Sequence, residues 1–227
     1  DLKAQNISFP KINYPIVLEY KLGYLTELYV NTFYKIAPQK EGQGFIGARY
    51  MPANYIKDIK KYKNTLSKDF EDINLFKQAQ RNIAEFMKRL LVRRFESSIE
   101  AFGKSLDSMI NSSEYIMDWY NRLEKVPVYK KGNLPSIEEL FDLESEYAEI
   151  DLKEINFEEQ LSSYIERGLF LIDKKDINEN FIIDLKKDIE LLKEIKREWF
   201  GNGKLVDPKL EEFKNILNKK LKENPKR

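Results

Sequence analysis

The sequence predicts a mainly α-helical fold: long amphipathic helices packed as a bundle, with one short strand near the N-terminus. Three observations carry this. Apolar residues recur every three or four positions across residues 67–124, where Ile83, Phe86, Met87, Leu90, Leu91, Phe95, Ile99, Phe102, Leu106, Met109 and Ile110 form one stripe, the pattern of a buried core face. Residues 177–200 repeat it with Phe181, Ile182, Leu185, Ile189, Leu192, Ile195 and Trp199. Glycine is scarce, 9 in 227 residues, which argues against a phosphate-cradling α/β domain built on glycine turns. With 42% hydrophobic residues the chain has the means to build a core, so wholesale disorder is excluded.

Residues 15–20 are the strand candidate, because Ile16 and Val17 are β-branched, Pro10 and Pro15 precede them and Gly23 follows. Residues 24–36 read as a helix, with Leu25, Leu28, Tyr29, Thr32 and Phe33 at helical spacing and Pro38 behind them. Gly42, Gly44 and Gly47 break the chain, and a short helical segment is expected over 53–62 after Pro52. Nothing interrupts helical spacing from 67 to 124, so a single long helix is expected there. Pro127, Gly132 and Pro135 then read as a linker, and 136–161 as a solvated acidic run carrying Glu138, Glu139, Asp142, Glu144, Glu146, Glu149 and Asp151. No calcium-loop spacing with its central glycine occurs in that run. Gly201 and Gly203 end the second long helix. Asp207 as N-cap and Pro208 at the first helical position open a last one, carrying Leu210, Phe213, Ile216 and Leu217. The expected division is 1–66, an N-terminal strand–helix segment with a loop; 67–126, the long helix; and 127–227, a linker with C-terminal helices, all packing as one domain.

Lys and Arg number 39 against 38 Asp and Glu, a net charge of +1 that rules out a uniformly basic nucleic-acid binder but not a local basic stripe. The chain has no cysteine and no histidine. Thiol nucleophiles, disulfides, Cys/His zinc sites and histidine general bases are therefore excluded together. No apolar run approaches the roughly 20 residues that span a bilayer, so no membrane partner is expected. Asp1-Leu2-Lys3-Ala4 shows neither a signal pattern nor an initiator Met, the start expected of a piece of a longer, cytoplasmic chain.

Nucleotide binding needs a glycine-rich loop and a phosphate lysine, and no G-x-x-x-x-G-K-[ST] occurs. Gly42-Gln43-Gly44-Phe45-Ile46-Gly47 imitates G-x-G-x-x-G, but no strand leads into it and no helix separates its last glycines, so a flexible loop is expected. Glu138 and Glu139 are adjacent and would face different sides of a helix. No catalytic residue, metal site or cofactor is expected in this chain.

One constellation stands above background: Lys88, Arg89, Arg93, Arg94, Ser97 and Ser98. At 100° per residue Arg89 and Arg93 share a flank beside Phe86, while Arg94 falls between Met87 and Leu90 on the apolar side, where a charge is costly unless paired. In one reading Glu85 pairs with Arg89 and Glu96 with Arg93 along the helix. In the other the guanidiniums reach a phosphate, with Ser97 and Ser98 as neutral donors.

The segment Arg89-Leu90-Leu91-x-x-Arg94-Phe95-Glu96-Ser97-Ser98-x-x-Ala101-Phe102 resembles a stretch of the bacterial Swi–Snf-type, RapA-like helicases and DNA-dependent ATPases. In that family the stretch lies between two RecA-like motor lobes. Phe9-Pro10-Lys11 with Pro15 resembles the step that leaves the first lobe, and Asp207-Pro208-Lys209-Leu210 with Phe213 and Leu217 resembles the helix that introduces the second. The matches bracket positions 9–217; only the central one is specific. The family's Walker lysine loop, acidic metal-binding box and arginine-finger motif are missing. The resemblance implies an inter-lobe helical (protrusion) domain that couples the motor lobes and contacts DNA backbone. It would be no enzyme by itself, with ATP and Mg held only in the lobes. Its partners would be the RecA-like lobes of the same polypeptide and double-stranded DNA, in the bacterial cytoplasm, with Arg89, Arg93, Arg94, Ser97 and Ser98 near the inter-lobe cleft. The alternative is a free-standing helical protein-interaction module. Apolar surface left open toward missing lobes would favour the first; a standalone enzyme fits worst.

Overall fold

The computed structural model describes residues 14, 17, 19–38, 43–62, 73–129, 169–201, 203 and 205–223. Among them are five α-helices: α1 (Thr26–Ile36), α2 (Ile73–Ser97), α3 (Ile99–Asp118), α4 (Asn180–Phe200) and α5 (Pro208–Glu223). Two short strands, β1 (Lys125–Tyr129) and β2 (Leu169–Asp173), pair antiparallel with Pro127 opposite Leu171. The fold is mainly α, as the periodicity predicts. The chain divides into two units, Tyr24–Leu205 and a smaller one comprising Asp1–Gly23 with Val206–Arg227.

Of the expected long helix over 67–124, residues 67–72 lie outside the described residues, and the rest is two helices followed by a π-turn. The apolar spacing runs unbroken through Phe95, Ile99 and Phe102, which hides the break, but Ser98 is extended at φ −158°, ψ 134°. Its hydroxyl accepts the Ala101 N–H at 3.4 Å and its carbonyl accepts the Phe102 N–H at 3.0 Å, so Ser98 caps α3. Packing gives the reason. A continuous helix would hold Phe76 and Tyr120 roughly 66 Å apart at 1.5 Å per residue. The reversal brings both into one core cluster with Val126, Val128, Ile172, Phe181 and Leu185.

A second cluster collects Leu91, Phe95, Phe102 and Leu106 with Leu192, Ile195 and Trp199. Thus α2 and α4 each run from the first cluster to the second, and α3 returns between them. Ion pairs Lys193–Glu114 and Lys196–Asp107 seam α4 to α3 in the same antiparallel sense. The aromatic rings form a knot: centroids of Phe102 and Trp199 are 5.3 Å apart, Phe95 and Phe102 5.6 Å, and Tyr29 lies 5.0 Å from both Phe95 and Trp199. The Trp199 indole N–H donates to Thr32 Oγ1 at 2.7 Å, which ties α1 to α4 inside the core. Gly103 lets Phe200 lie against α3, because a Cβ there would stand 2.8 Å from the Phe200 ring.

Of the expected N-terminal strand over 15–20, residues 15, 16 and 18 lie outside the described residues, while Val17, Glu19 and Tyr20 carry no strand and Val17 is exposed. Pro127, read as linker, instead sits inside β1; in a two-stranded sheet both strands are edges, where a missing N–H is tolerated when it points outward. Residues 52–62 form two 3₁₀ turns, Pro52–Tyr55 and Ile59–Tyr62, and Ile56 between them bridges to Ile177. The acidic run 136–161 lies outside the described residues. Between α3 and β1 the chain makes a π-turn, Trp119–Leu123, followed by Glu124 in the left-handed region at φ 53°. In the smaller unit Asp207 Oδ1 accepts the N–H groups of Lys209 and Leu210 at 3.0 and 3.3 Å, the cap read from the sequence.

Replacing the cap tests this account of the reversal. Ser98→Ala is expected to destabilise by about 1 kcal/mol and Ser98→Gly by only a few tenths. Urea denaturation followed by Trp fluorescence measures both, and equal losses would remove the hydroxyl from the explanation.

Candidate nucleic-acid interface

The predicted constellation occupies the last turns of α2 and the reversal itself, and the structure divides it. Arg89, Arg93 and Ser97 are exposed, the two arginines on one flank as their spacing requires. The expected pairs do not form: Glu85 accepts from Lys88 Nζ at 2.7 Å, three residues on, and neither Arg89 nor Arg93 has an ion-pair partner among the described residues. Lys88 is half-buried with its charge engaged by Glu85. Arg94 is half-buried beside Met87 and Leu90, both buried, and is engaged within the protein. Ser98 is the α3 cap. Two guanidiniums and one hydroxyl therefore face solvent together, while Lys88 and Arg94 are engaged within the protein and Ser98 caps α3. Phe95 and Phe102 of the same stretch are core. The outward arginines are long, uncommitted donors suited to phosphate oxygens and indifferent to base sequence.

Over its described residues the glycine loop is held in place, not the flexible loop expected. The carboxylate of Asp188, on α4, accepts three backbone N–H groups in succession: Ile46 at 2.6 Å, Gly47 at 2.9 Å and Ala48 at 2.8 Å. Three consecutive N–H groups converging on one anion make a nest, and here the protein's own side chain fills it, so no phosphate is called for. Gly44 and Gly47 have φ of 71° and 78°, and a Cβ on Gly44 would lie 2.4 Å from the Lys35 carbonyl, so both positions require glycine. Gln80 Oε1 accepts the Ala53 N–H at 2.8 Å and fixes the next turn to α2. The one sequence signal for Asp188 is a carboxylate three residues after Leu185, on the stripe that packs inward.

Asp188 is 2% exposed, and burial raises its carboxyl to about 6 although three N–H donors and their hydrogen bonds oppose the shift; Asp184 nearby adds to it. No family model, curated protein or solved structure matches the chain. No helix among the described residues is long and apolar enough to cross a membrane.

The folded carboxyl binds its proton more tightly than the unfolded one, so its contribution to stability is fully present below about pH 4 and is lost as pH rises through about 6. The loss is on the order of 3 kcal/mol at 1.36 kcal/mol per pH unit of difference. Asp188→Asn is expected to remove this slope, while costing about 1–3 kcal/mol for each N–H left without an acceptor. Unfolding free energies at pH 4, 5, 6 and 7 for both proteins measure it, and parallel curves would refute it.

Proposed function

We propose that the chain is the inter-lobe helical domain of a bacterial Swi–Snf-like, ATP-dependent DNA helicase or translocase, coupling its two motor lobes and meeting duplex backbone with Arg89 and Arg93. The observation that carries this reading is the open apolar stripe on α5, in the segment resembling the entry to the second lobe. Leu210, Phe213, Leu217 and Leu221 recur at helical spacing, yet each is 44–53% exposed. Four large apolar residues in one row are more than the scattered exposure of an ordinary surface, and they mark a face that another body covers. The uncommitted arginine flank supports the DNA contact. ATP and Mg belong, in this reading, to the lobes alone.

A free-standing interaction module is the second reading, favoured by the same stripe if its cover is a separate protein. Fluorescence anisotropy with labelled duplex DNA separates the two. Weak, sequence-indifferent binding that fades with salt is expected, and Arg89→Glu with Arg93→Glu should reduce the salt slope by about 2. In the full-length ATPase the same pair should abolish stimulation by DNA. A folded chain that ignores DNA at low salt, together with undiminished stimulation of the double variant, would sink the DNA-contact role.

A further inference from the structure

Beside the end of the β-hairpin opens a cleft of about 460 Å³ that neither the arginine flank nor the glycine loop enters. Three segments far apart in sequence build it: Lys57, the stretch from Tyr120 to Lys125, and the stretch from Asp173 to Glu179. Backbone hydrogen bonds knit them. The Lys57 N–H donates to the Asp176 carbonyl at 2.9 Å, the Lys174 N–H to the Glu124 carbonyl at 2.8 Å, and the Asn178 N–H to the Tyr55 carbonyl at 2.8 Å. The rim is thus held by main chain, leaving its side chains free for other work.

Four ammonium groups line this cleft. Lys125 is neutralised by Asp173, its cross-strand partner. Lys174 Nζ stands 4.5 Å over the centroid of the Tyr120 ring, a contact that fixes the cation while leaving N–H donors to spare. Lys57 Nζ donates to the Lys175 carbonyl at 3.0 Å, which draws it to the same wall. Lys175 Nζ lies 4.0 Å from Asp173, beyond hydrogen-bond reach, on a side chain 76% exposed. The remaining carboxylates, Glu124 and Glu179, are exposed to water, so beside the Lys125–Asp173 pair three lysines share the cleft with two well-solvated acids. The backbone adds a second observation. The π-turn and the left-handed Glu124 follow one another at this wall, and Glu124 is the one non-glycine residue with positive φ among those described. Glycine would hold that turn with less strain. Successive irregularities of this kind gather where a conformation is kept for a ligand.

We propose that this cleft binds a phosphate group, gripped by Lys57, Lys174 and Lys175. The site stands on its own geometry; only the assignment of the phosphate to a DNA backbone rests on the inter-lobe reading.

Two measurements on the whole chain test it. Inorganic phosphate titrated at low ionic strength is expected to shift the backbone amide resonances of Glu124, Lys174 and Lys175 saturably in the wild-type protein, and not in Lys174→Ala with Lys175→Ala. Duplex DNA followed by anisotropy is expected to lose about tenfold in affinity with the same variant, and about 2 in salt slope. Lys57→Gln with Lys175→Gln leaves the Lys174–Tyr120 contact intact and serves if the first variant misfolds. Saturable phosphate shifts with unaltered DNA binding identify a free phosphate compound as ligand and uphold the site. A DNA effect alone upholds it with the duplex as source. Absence of both overturns it, whereas a chain that binds no DNA but saturates with phosphate overturns only the inter-lobe reading.

Discussion

The reversal of the chain at Ser98 is the constraint on which the larger unit depends. One extended residue between two long helices lets a single apolar stripe fold back on itself, so that its beginning and its end share a cluster. With α2 and α3 antiparallel, α4 packs along α3, and its residues divide between the same two clusters. The aromatic knot around Trp199 closes the far end. Its indole is satisfied by Thr32, so a large ring with a polar handle is buried at no cost in unpaired hydrogen bonds. Gly103 permits the close approach of α3 to Phe200. Each later contact presupposes the turn.

Much of this was legible in the residues. The stripes of α1 and α4 end where Pro38 and Gly201 say they should, and α5 begins at its Asp207–Pro208 cap, because those signals are local. What escaped is non-local or disguised. Ser98 sits in a spacing that a continuous helix would satisfy equally well, and only the gain from joining two distant clusters selects the break. Residues 169–173 are a short apolar run whose strand character comes from a partner some forty residues earlier, through cross-strand pairs such as Val128 with Phe170.

The functional reading divides along the same line. Helical periodicity placed Arg89 and Arg93 on one flank and Arg94 at the edge of the apolar face, and the structure keeps that arrangement. It could not say that Glu85 would choose Lys88, since residues three and four apart compete on equal terms. Nor could it reveal that the nest of Ile46, Gly47 and Ala48 is closed by Asp188 from 140 residues away. A glycine pattern states that the backbone must bend; the partner decides whether the bend cradles a ligand or a side chain.

The π-turn at Trp119–Leu123 has a consequence for how this protein tolerates change in length. A π-turn carries one residue more than an α-turn over the same arc, so it shifts the phase of everything that follows by about 100°. It delivers Trp119 and Tyr120 inward and starts β1 with Val126 and Val128 facing the core. Loss of one residue from within 119–123 is expected to remove the π-turn's extra residue. It would also turn β1 over, sending both valines to solvent and Lys125 and Pro127 toward the cluster. Deletion in this segment is therefore a topological matter, and its length is expected to stay fixed among descendants.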